Sequence, residues 1–256
     1  MNIVAIIPAR MGSSRFPGKP MADLCGLPMI QHVYMRSKQS DIINDIYVAT
    51  CDAEIKNAVE AFGGKAIMTS DAHERASDRV AEAMIKIESN MDKKIDIVVM
   101  IQGDEPLVFP EMINLAVAPL VEDPSVMITN LMAPLETREE HEDPNEVKVV
   151  VDLKNNAIYF SREPIPSWKK SAVDVPMLKQ VCIIPFRRDF LIKFNELPQT
   201  PLEIVESVDM LRLIENGYTV RMVPTDYETF SVDTTQDLER VASIMATDTL
   251  FQQYAS

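Results

Sequence analysis

The chain predicts an α/β fold, with a mostly parallel sheet, helices on both faces and a smaller β-rich lobe. Two observations carry this. Short β-branched apolar runs alternate with helical patterns through the first half, and the alternation breaks after about Pro134. The opening run "NIVAII" has no polar alternation, which suits a strand buried on both faces. "PMIQHVYMRSKQ" follows with apolar residues at helical spacing, then "DIYVAT" as the next strand. "AEIKNAVEAFG" reads as a helix closed by glycine, "KAIM" as a short strand, and "SDRVAEAMIKIE" as a helix. "DIVVMIQ", the helical "PEMINLAVAPLVE" and the strand "VMITNLMA" complete the repeat.

Beyond Pro134, residues 136–146 ("ETREEHEDPNE") read as an acidic, solvated connection. Two strands follow, "VKVVVD" and "NNAIYFSR", then a loop rich in Pro, Ser and Lys, "EPIPSWKKSAVDVPM". The helical patterns "PLEIVESVDMLRLIENG" and "TTQDLERVASIMA", with the strand "YTVRMVP" between them, return the chain to the main sheet. The expected organisation is a nucleotide-binding core over 1–133, a β-rich lobe for a sugar pocket and dimerisation over 134–200, and a return to the core over 201–256.

Apolar residues make up 46% of the 256, enough for a substantial core. The formal charge of −14 argues against nucleic acid as a partner, because such proteins carry a basic footprint. An anionic substrate must therefore be held by a local cationic pocket. Cys25, Cys51 and Cys182 have no ligand-like spacing and read as reduced thiols. No signal peptide and no run of the ~20 apolar residues that span a bilayer is visible, so a cytoplasmic protein with no membrane partner is expected.

The segment "IIPARMGSSRFPGKP" joins Arg10, Arg15 and Lys19 to Gly12, Ser13, Ser14 and Gly18 directly behind the first strand. Small residues let backbone N–H groups approach anionic oxygens, and the cations neutralise them. The loop nevertheless departs from G-x-x-x-x-G-K-[ST]. Five residues separate Gly12 from Gly18, and Pro20 stands where a magnesium-binding hydroxyl is needed. No G-x-G dinucleotide fingerprint is present.

"VVMIQGDEPLV" puts Gln102, Asp104 and Glu105 at the carboxyl end of a buried strand, where a carboxylate can share Mg²⁺ with phosphate oxygens. Asp104 could equally serve only its turn with Gly103. "FSVDTTQDLERV" puts Asp233 just before a helix capped by Thr234 or Thr235, and Asp233 could be no more than part of that cap. Two carboxylates and two or three cations around one cleft describe a magnesium–nucleoside triphosphate site. His32, His73 and His141 do not cluster as zinc ligands, and His32 is expected at the surface or as a cap. The 16 methionines are read as core filling.

With these residues assembled, the chain resembles the sugar-acid cytidylyltransferases, most closely those acting on 3-deoxy-manno-octulosonate (Kdo). The resemblance rests on "IPARMGSSRFPGKP", "PMIQHV", "YVATCD", "IQGDEP", "PNEVKVV", "IYFSREPIP" and "VDTTQDLERV", in family order across nearly the whole chain. It implies a Rossmann-like nucleotidyltransferase fold, a homodimer, and CTP and a sugar acid as substrates for CMP-sugar and pyrophosphate formation in lipopolysaccharide biosynthesis. It implies that Arg10, Ser13, Arg15 and Lys19 hold the triphosphate, with Lys19 nearest the α-phosphate. Gln102 and Arg79 would hold the nucleotide, and Asp104 and Asp233 would bind Mg²⁺. Ser161, Arg162, Gln180, Ile184, Glu206 and Met210 would line the sugar-acid pocket.

Several positions depart from the family pattern. Where "HLGIYGYR" is usual the chain has "KQVCIIPFR", so Gln180, Cys182, Ile184 and Pro185 replace His, Gly, Tyr and Gly. Asp209 and Met210 stand for Glu and Gln, and "HERASDR" stands for "HQSGTER", so Arg75 and Ala76 replace Ser and Gly. Lost hydrogen-bonding partners point to a smaller or differently substituted acid. Three expectations follow: activation of Kdo or a relative, activation of another acid (modified Kdo, a nonulosonate or a phosphonate), or a catalytically silent nucleotide binder.

Overall fold

In the computed structural model, which describes residues 1–12, 16–167 and 176–255, the first apolar run becomes a central strand. This strand, β1 (Ile3–Ala9), is buried along its whole length, as a strand flanked by parallel neighbours requires. After it come the short antiparallel pair β2 (Asp23–Leu24) and β3 (Leu27–Pro28), then α1 (Met29–Ser37) and β4 (Asp45–Thr50). The alternation continues through α2 (Ala53–Ala61), β5 (Ala66–Met68), α3 (Ala76–Glu88) and β6 (Ile97–Ile101). The strands run β6-β1-β4-β5, all parallel. The chain steps to one side of β1 for β4 and β5, and to the other side for β6. Such a reversal opens a crevice beyond the carboxyl ends of the strands, and the loops after β1 and β6 both emerge there.

The first unit comprises Met1–Asn114 with Thr229–Ser256, and the second Leu115–Glu228. Helix α4 (Pro110–Glu122) carries the chain from one to the other. The second unit holds β7 (Thr129–Pro134), α5 (Arg138–Glu142), β8 (Lys148–Val151), β9 (Ala157–Ser161), β10 (Leu178–Val181) and β11 (Ile183–Arg187). Then follow α6 (Arg188–Glu196), α7 (Pro201–Glu206), α8 (Met210–Glu215) and β12 (Arg221–Pro224). Its sheet runs β12-β7-β10-β8-β9. The outer strands curl towards each other: the Ala157 amide donates to the Val220 carbonyl at 2.9 Å, and the Met222 amide to that of Asn155 at 2.7 Å. Both edges thereby gain partners for their backbone groups.

These boundaries differ from the expected 134 and 200 because β7 and β12 pair in this second sheet rather than in the first. Within the segment expected to be β-rich lies helix α6. The acidic connection contains a helix of its own, α5, because Thr137 and Glu140 form a reciprocal capping box. The single helical pattern over 201–217 is two helices. Ser207 takes a left-handed conformation (φ 53°) after α7, which breaks the hydrogen-bond ladder.

Back in the first unit, α9 (Thr235–Met245) and α10 (Thr249–Tyr254) bury Val241 and Met245 with Leu24, Met29, Leu107 and Val232. His32, expected at the surface or as a cap, is fully buried beside them. The Leu24 carbonyl, 2.8 Å from Nε2, can only accept, so Nε2 carries the proton and the Tyr254 hydroxyl donates to Nδ1 at 2.9 Å. Burial lowers the pKa of His32, in keeping with a neutral structural imidazole. Arg36, also fully buried, donates to the carbonyls of Leu107 and Val108 and pairs with Asp248. No helix among the described residues is long and apolar enough to cross a membrane.

Candidate active site

The loop after β1 closes on itself. Gly18 adopts φ 74°, a conformation that favours glycine, and its amide donates to the Met11 carbonyl at 3.0 Å. Asp52, just after β4, accepts from the Met11 amide at 2.8 Å and ties the loop to the sheet. Sequence reasoning gave Asp52 no role, although its place at the carboxyl end of a strand marks it as a neighbour of the crevice. Lys19 opens a single 3-10 turn whose next residue, Pro20, is buried. Pro20 supplies no metal-binding hydroxyl, but it anchors the lysine backbone.

Lys19 Nζ lies 3.2 Å from Asp104 Oδ2 and 2.8 Å from Asp233 Oδ1. Three residues separated by most of the chain thus meet at one point. Asp104 arrives on the turn after β6, where Gly103 passes so close to β1 that an added Cβ would stand 3.2 Å from the Pro8 carbonyl. Asp233 follows the fully buried Val232, whose amide donates to the Asp104 carbonyl at 2.9 Å. The cap of α9 is Thr234, which accepts from the Asp237 amide, while the carboxylate of Asp233 faces Lys19. Asp104 makes its turn as well as the ion pair.

A cavity of about 310 Å³ opens beside these groups. Its lining brings together Arg10, Lys19, Arg79, Gln102 and Asp104, five of the residues expected to hold nucleotide or metal. Ser13 and Arg15 lie outside the described residues. Arg79 is buried, donating to Thr69 Oγ1 at 2.6 Å and to the carbonyls of Ser70 and His73 at 3.2 Å each. It therefore organises the loop before α3. The same loop is tied by Glu82, which accepts from the Ser70 amide at 2.9 Å, His73 Nε2 at 2.5 Å and Lys86 at 2.6 Å. Burial works to raise the Glu82 pKa, but these hydrogen bonds outweigh it and hold the carboxyl at about 2.

The pair Asp104 and Asp233 fits a magnesium ion. Two carboxylates already converge on one cation, and they could hold Mg²⁺, an ion that favours few carboxylates together with phosphate oxygens. Among the described residues no set of three or more His, Cys, Asp or Glu side chains forms a closed metal site, and none of the three cysteines is in a disulfide.

The residues expected to bind the acid lie in the second unit. Glu206 accepts from Ser161 Oγ at 2.9 Å, Tyr159 Oη at 3.1 Å and the Arg162 amide at 2.8 Å. Its carbonyl accepts from Arg162 Nε at 2.7 Å. Ser161, Arg162 and Glu206 therefore form one clamp. Lys148, fully buried, supports it by donating to the carbonyls of Arg162 at 2.5 Å and Asp143 at 2.7 Å. Burial pushes the Lys148 ammonium pKa down. Gln180 Nε2 donates to Asn130 Oδ1 at 2.6 Å, a partner the sequence did not suggest. Ile184 and Met210 are buried apolar side chains.

A family profile described as cytidylyltransferase matches residues 4–225. The 3-deoxy-manno-octulosonate cytidylyltransferase of Geotalea uraniireducens (strain Rf4) is 45% identical over 251 residues, covering 94% of this chain and 98% of its own length. That of Geobacter sulfurreducens (strain ATCC 51573 / DSM 12127 / PCA) is 44% identical, with the same coverage. A solved CMP:2-keto-3-deoxy-manno-octonic acid synthetase complexed with CTP superposes with a TM-score of 0.88 at 40% identity, covering 96% of this chain and 99% of its own. The 4-diphosphocytidyl-2C-methyl-D-erythritol synthase of Anaerococcus prevotii DSM 20548, at 13% identity and a TM-score of 0.60, covers 96% of each chain and shares the fold.

Proposed function

From the premise that this chain belongs to the cytidylyltransferase family, we propose that it transfers CMP from CTP to Kdo and releases pyrophosphate. The observation that carries the proposal is the meeting of Lys19, Asp104 and Asp233 beside the cavity lined by the opening loop. Retention of all three weighs against a silent nucleotide binder, which has no need of a metal pair facing a cation.

In the proposed reaction the anomeric hydroxyl oxygen of Kdo attacks the α-phosphorus in line, and pyrophosphate leaves from the opposite side. Positioning and charge neutralisation supply the rate, without a covalent nucleophile on the protein. Lys19 leaves its two aspartates for an oxygen of the α-phosphate. Arg10 and Arg15 would neutralise the departing pyrophosphate, Ser13 would take part in holding the triphosphate, and Gln102 and Arg79 would keep the nucleotide in place. Asp104 and Asp233 would hold Mg²⁺. When bound, that ion would supply charge for the phosphates and acidify the attacking hydroxyl. Ser161, Arg162, Gln180 and Glu206 would orient the acid, Ile184 and Met210 giving its pocket an apolar backing.

A second reading keeps the reaction and changes the acid. It is favoured by Gln180, whose amide is already engaged by Asn130, and by the apolar Ile184 and Met210 at positions where hydrogen-bonding residues are usual. A homodimer and a cytoplasmic role in lipopolysaccharide precursor synthesis accompany the Kdo reading. Pyrophosphate release measured with Mg²⁺, each of four nucleoside triphosphates and a panel of 2-keto acids tests both readings. CTP-dependent release with Kdo supports the first, release with another acid alone supports the second, and release with none removes both.

A further inference from the structure

The second unit has a cavity of its own, of about 450 Å³, lined by Ile128 just before β7 and by Arg221, the first residue of β12. Among the described residues it shares no lining with the nucleotide cavity, and none of the residues expected to bind the acid lines it. Its lining divides by chemistry. Ile128, the buried Phe190 and Tyr218 are apolar or aromatic, and the two rings stand edge to face with centroids 5.4 Å apart. Lys154, Asn156 and Arg221 are polar, and two of the three are cations.

The hydrogen bonds around the polar residues hold one of those cations in place. Asn156 donates to Asp152 twice, from its backbone amide to Oδ1 at 2.8 Å and from Nδ2 to Oδ2 at 2.9 Å. Its Oδ1 then accepts from Arg221 Nε at 2.9 Å. One edge of the guanidinium is thus fixed, while among the described residues neither its two terminal nitrogens nor the Lys154 ammonium has a hydrogen-bond partner. Asp123, close enough to feel the Arg221 charge, already accepts from the Ser125 amide at 2.8 Å and hydroxyl at 2.7 Å.

A guanidinium steadied along one edge, with its remaining donors open, suits a carboxylate or phosphate that accepts paired hydrogen bonds. An aromatic wall in the same cavity suits an apolar or aryl body attached to that anion. We propose that this cavity binds a small organic anion, a carboxylate or phosphate carrying an apolar or aromatic group. Arg221 and Lys154 meet the anion, and Phe190 and Tyr218 meet its body. The identity of the acid in the proposed reaction has no part in this inference.

Phenyl phosphate and benzoate are the probes, with inorganic phosphate lacking the body and benzyl alcohol lacking the charge. Each is titrated calorimetrically into the whole protein saturated with CTP and Mg²⁺, so that the nucleotide cavity is already filled. At least one probe should bind saturably and more tightly than either control. That affinity should fall about tenfold or more in Arg221→Gln and about threefold in Lys154→Gln. No saturable binding, or binding no tighter than that of inorganic phosphate, overturns the proposal. So does unchanged affinity in an Arg221→Gln protein that melts like the wild type. Should Arg221→Gln melt early, Lys154→Gln decides, because Lys154 is exposed and its loss spares the fold, and unchanged affinity there overturns the proposal.

Discussion

Lys19 pairs with both Asp104 and Asp233, one ammonium giving up water for two carboxylates that repel each other. The ion pairs are partly buried, with the Lys19 side chain 12% exposed and Asp233 14% exposed, so they are worth more than a surface pair. In the proposed reaction the same three groups serve the triphosphate, and removing one would leave charge uncompensated where the α-phosphate reacts. Lys19→Ala and Asp104→Asn should each lower turnover by about 10²-fold or more while circular dichroism and melting behaviour stay near wild type. Near-normal turnover in either variant would remove the proposed roles.

At the level of elements, two ties decide local order. Glu82 on α3 holds the Ser70 amide and His73, and its folded pKa of about 2 is depressed below the ordinary carboxylate value of 4.5. Stabilisation from a depressed carboxylate is fully present above the unfolded pKa and is lost as pH falls through the folded one. The melting difference between wild type and Glu82→Gln should therefore be full at pH 7 and shrink as pH drops below about 4.5 towards 2. A difference that stays constant over that range would show that the carboxylate is not what ties the loop. In the second unit, Arg212 on α8 meets Glu203 on α7 through two hydrogen bonds of 2.7 and 2.5 Å, with both side chains buried. Glu203→Ala would strand a buried guanidinium, at a cost of about 3–5 kcal/mol in urea unfolding. A loss within ~0.5 kcal/mol would mean that water or another group replaces the carboxylate.

For the whole molecule, every described residue of the nucleotide cavity belongs to the first unit, so ligand binding is coupled to the stability of that unit. Saturation with CTP and Mg²⁺ at about 100 times the dissociation constant should add ~2.7 kcal/mol to its unfolding free energy. Calorimetric melting of wild type and of Asp233→Asn, with CTP alone and with CTP plus Mg²⁺, separates the metal-dependent share. The variant should keep the CTP increment and lose the further increment that Mg²⁺ gives. An equal Mg²⁺ increment in both proteins would exclude Asp233 as a ligand.

The sequence by itself determined the parallel strands of the first unit, because runs such as "NIVAII" and "DIVVMI" are apolar on both faces and have few other ways to be buried. It also offered the cationic loop, Asp104 and Asp233 as candidates, because those residue types can meet phosphate and metal if the fold brings them together. Tertiary structure alone decided what depends on distance across the chain. His32, read as a surface or capping residue, is buried because α10 returns 222 residues later to cover it. The unit boundaries moved because β7 and β12, which look like the strands before them, pair with β10 and with each other. Asp233 is distinguished from a helix cap by Thr234, which takes that position on α9, and by the Lys19 ammonium beside it. Pattern along a chain reports which face a residue can bury. Which partner it meets there is set by packing between segments far apart in sequence.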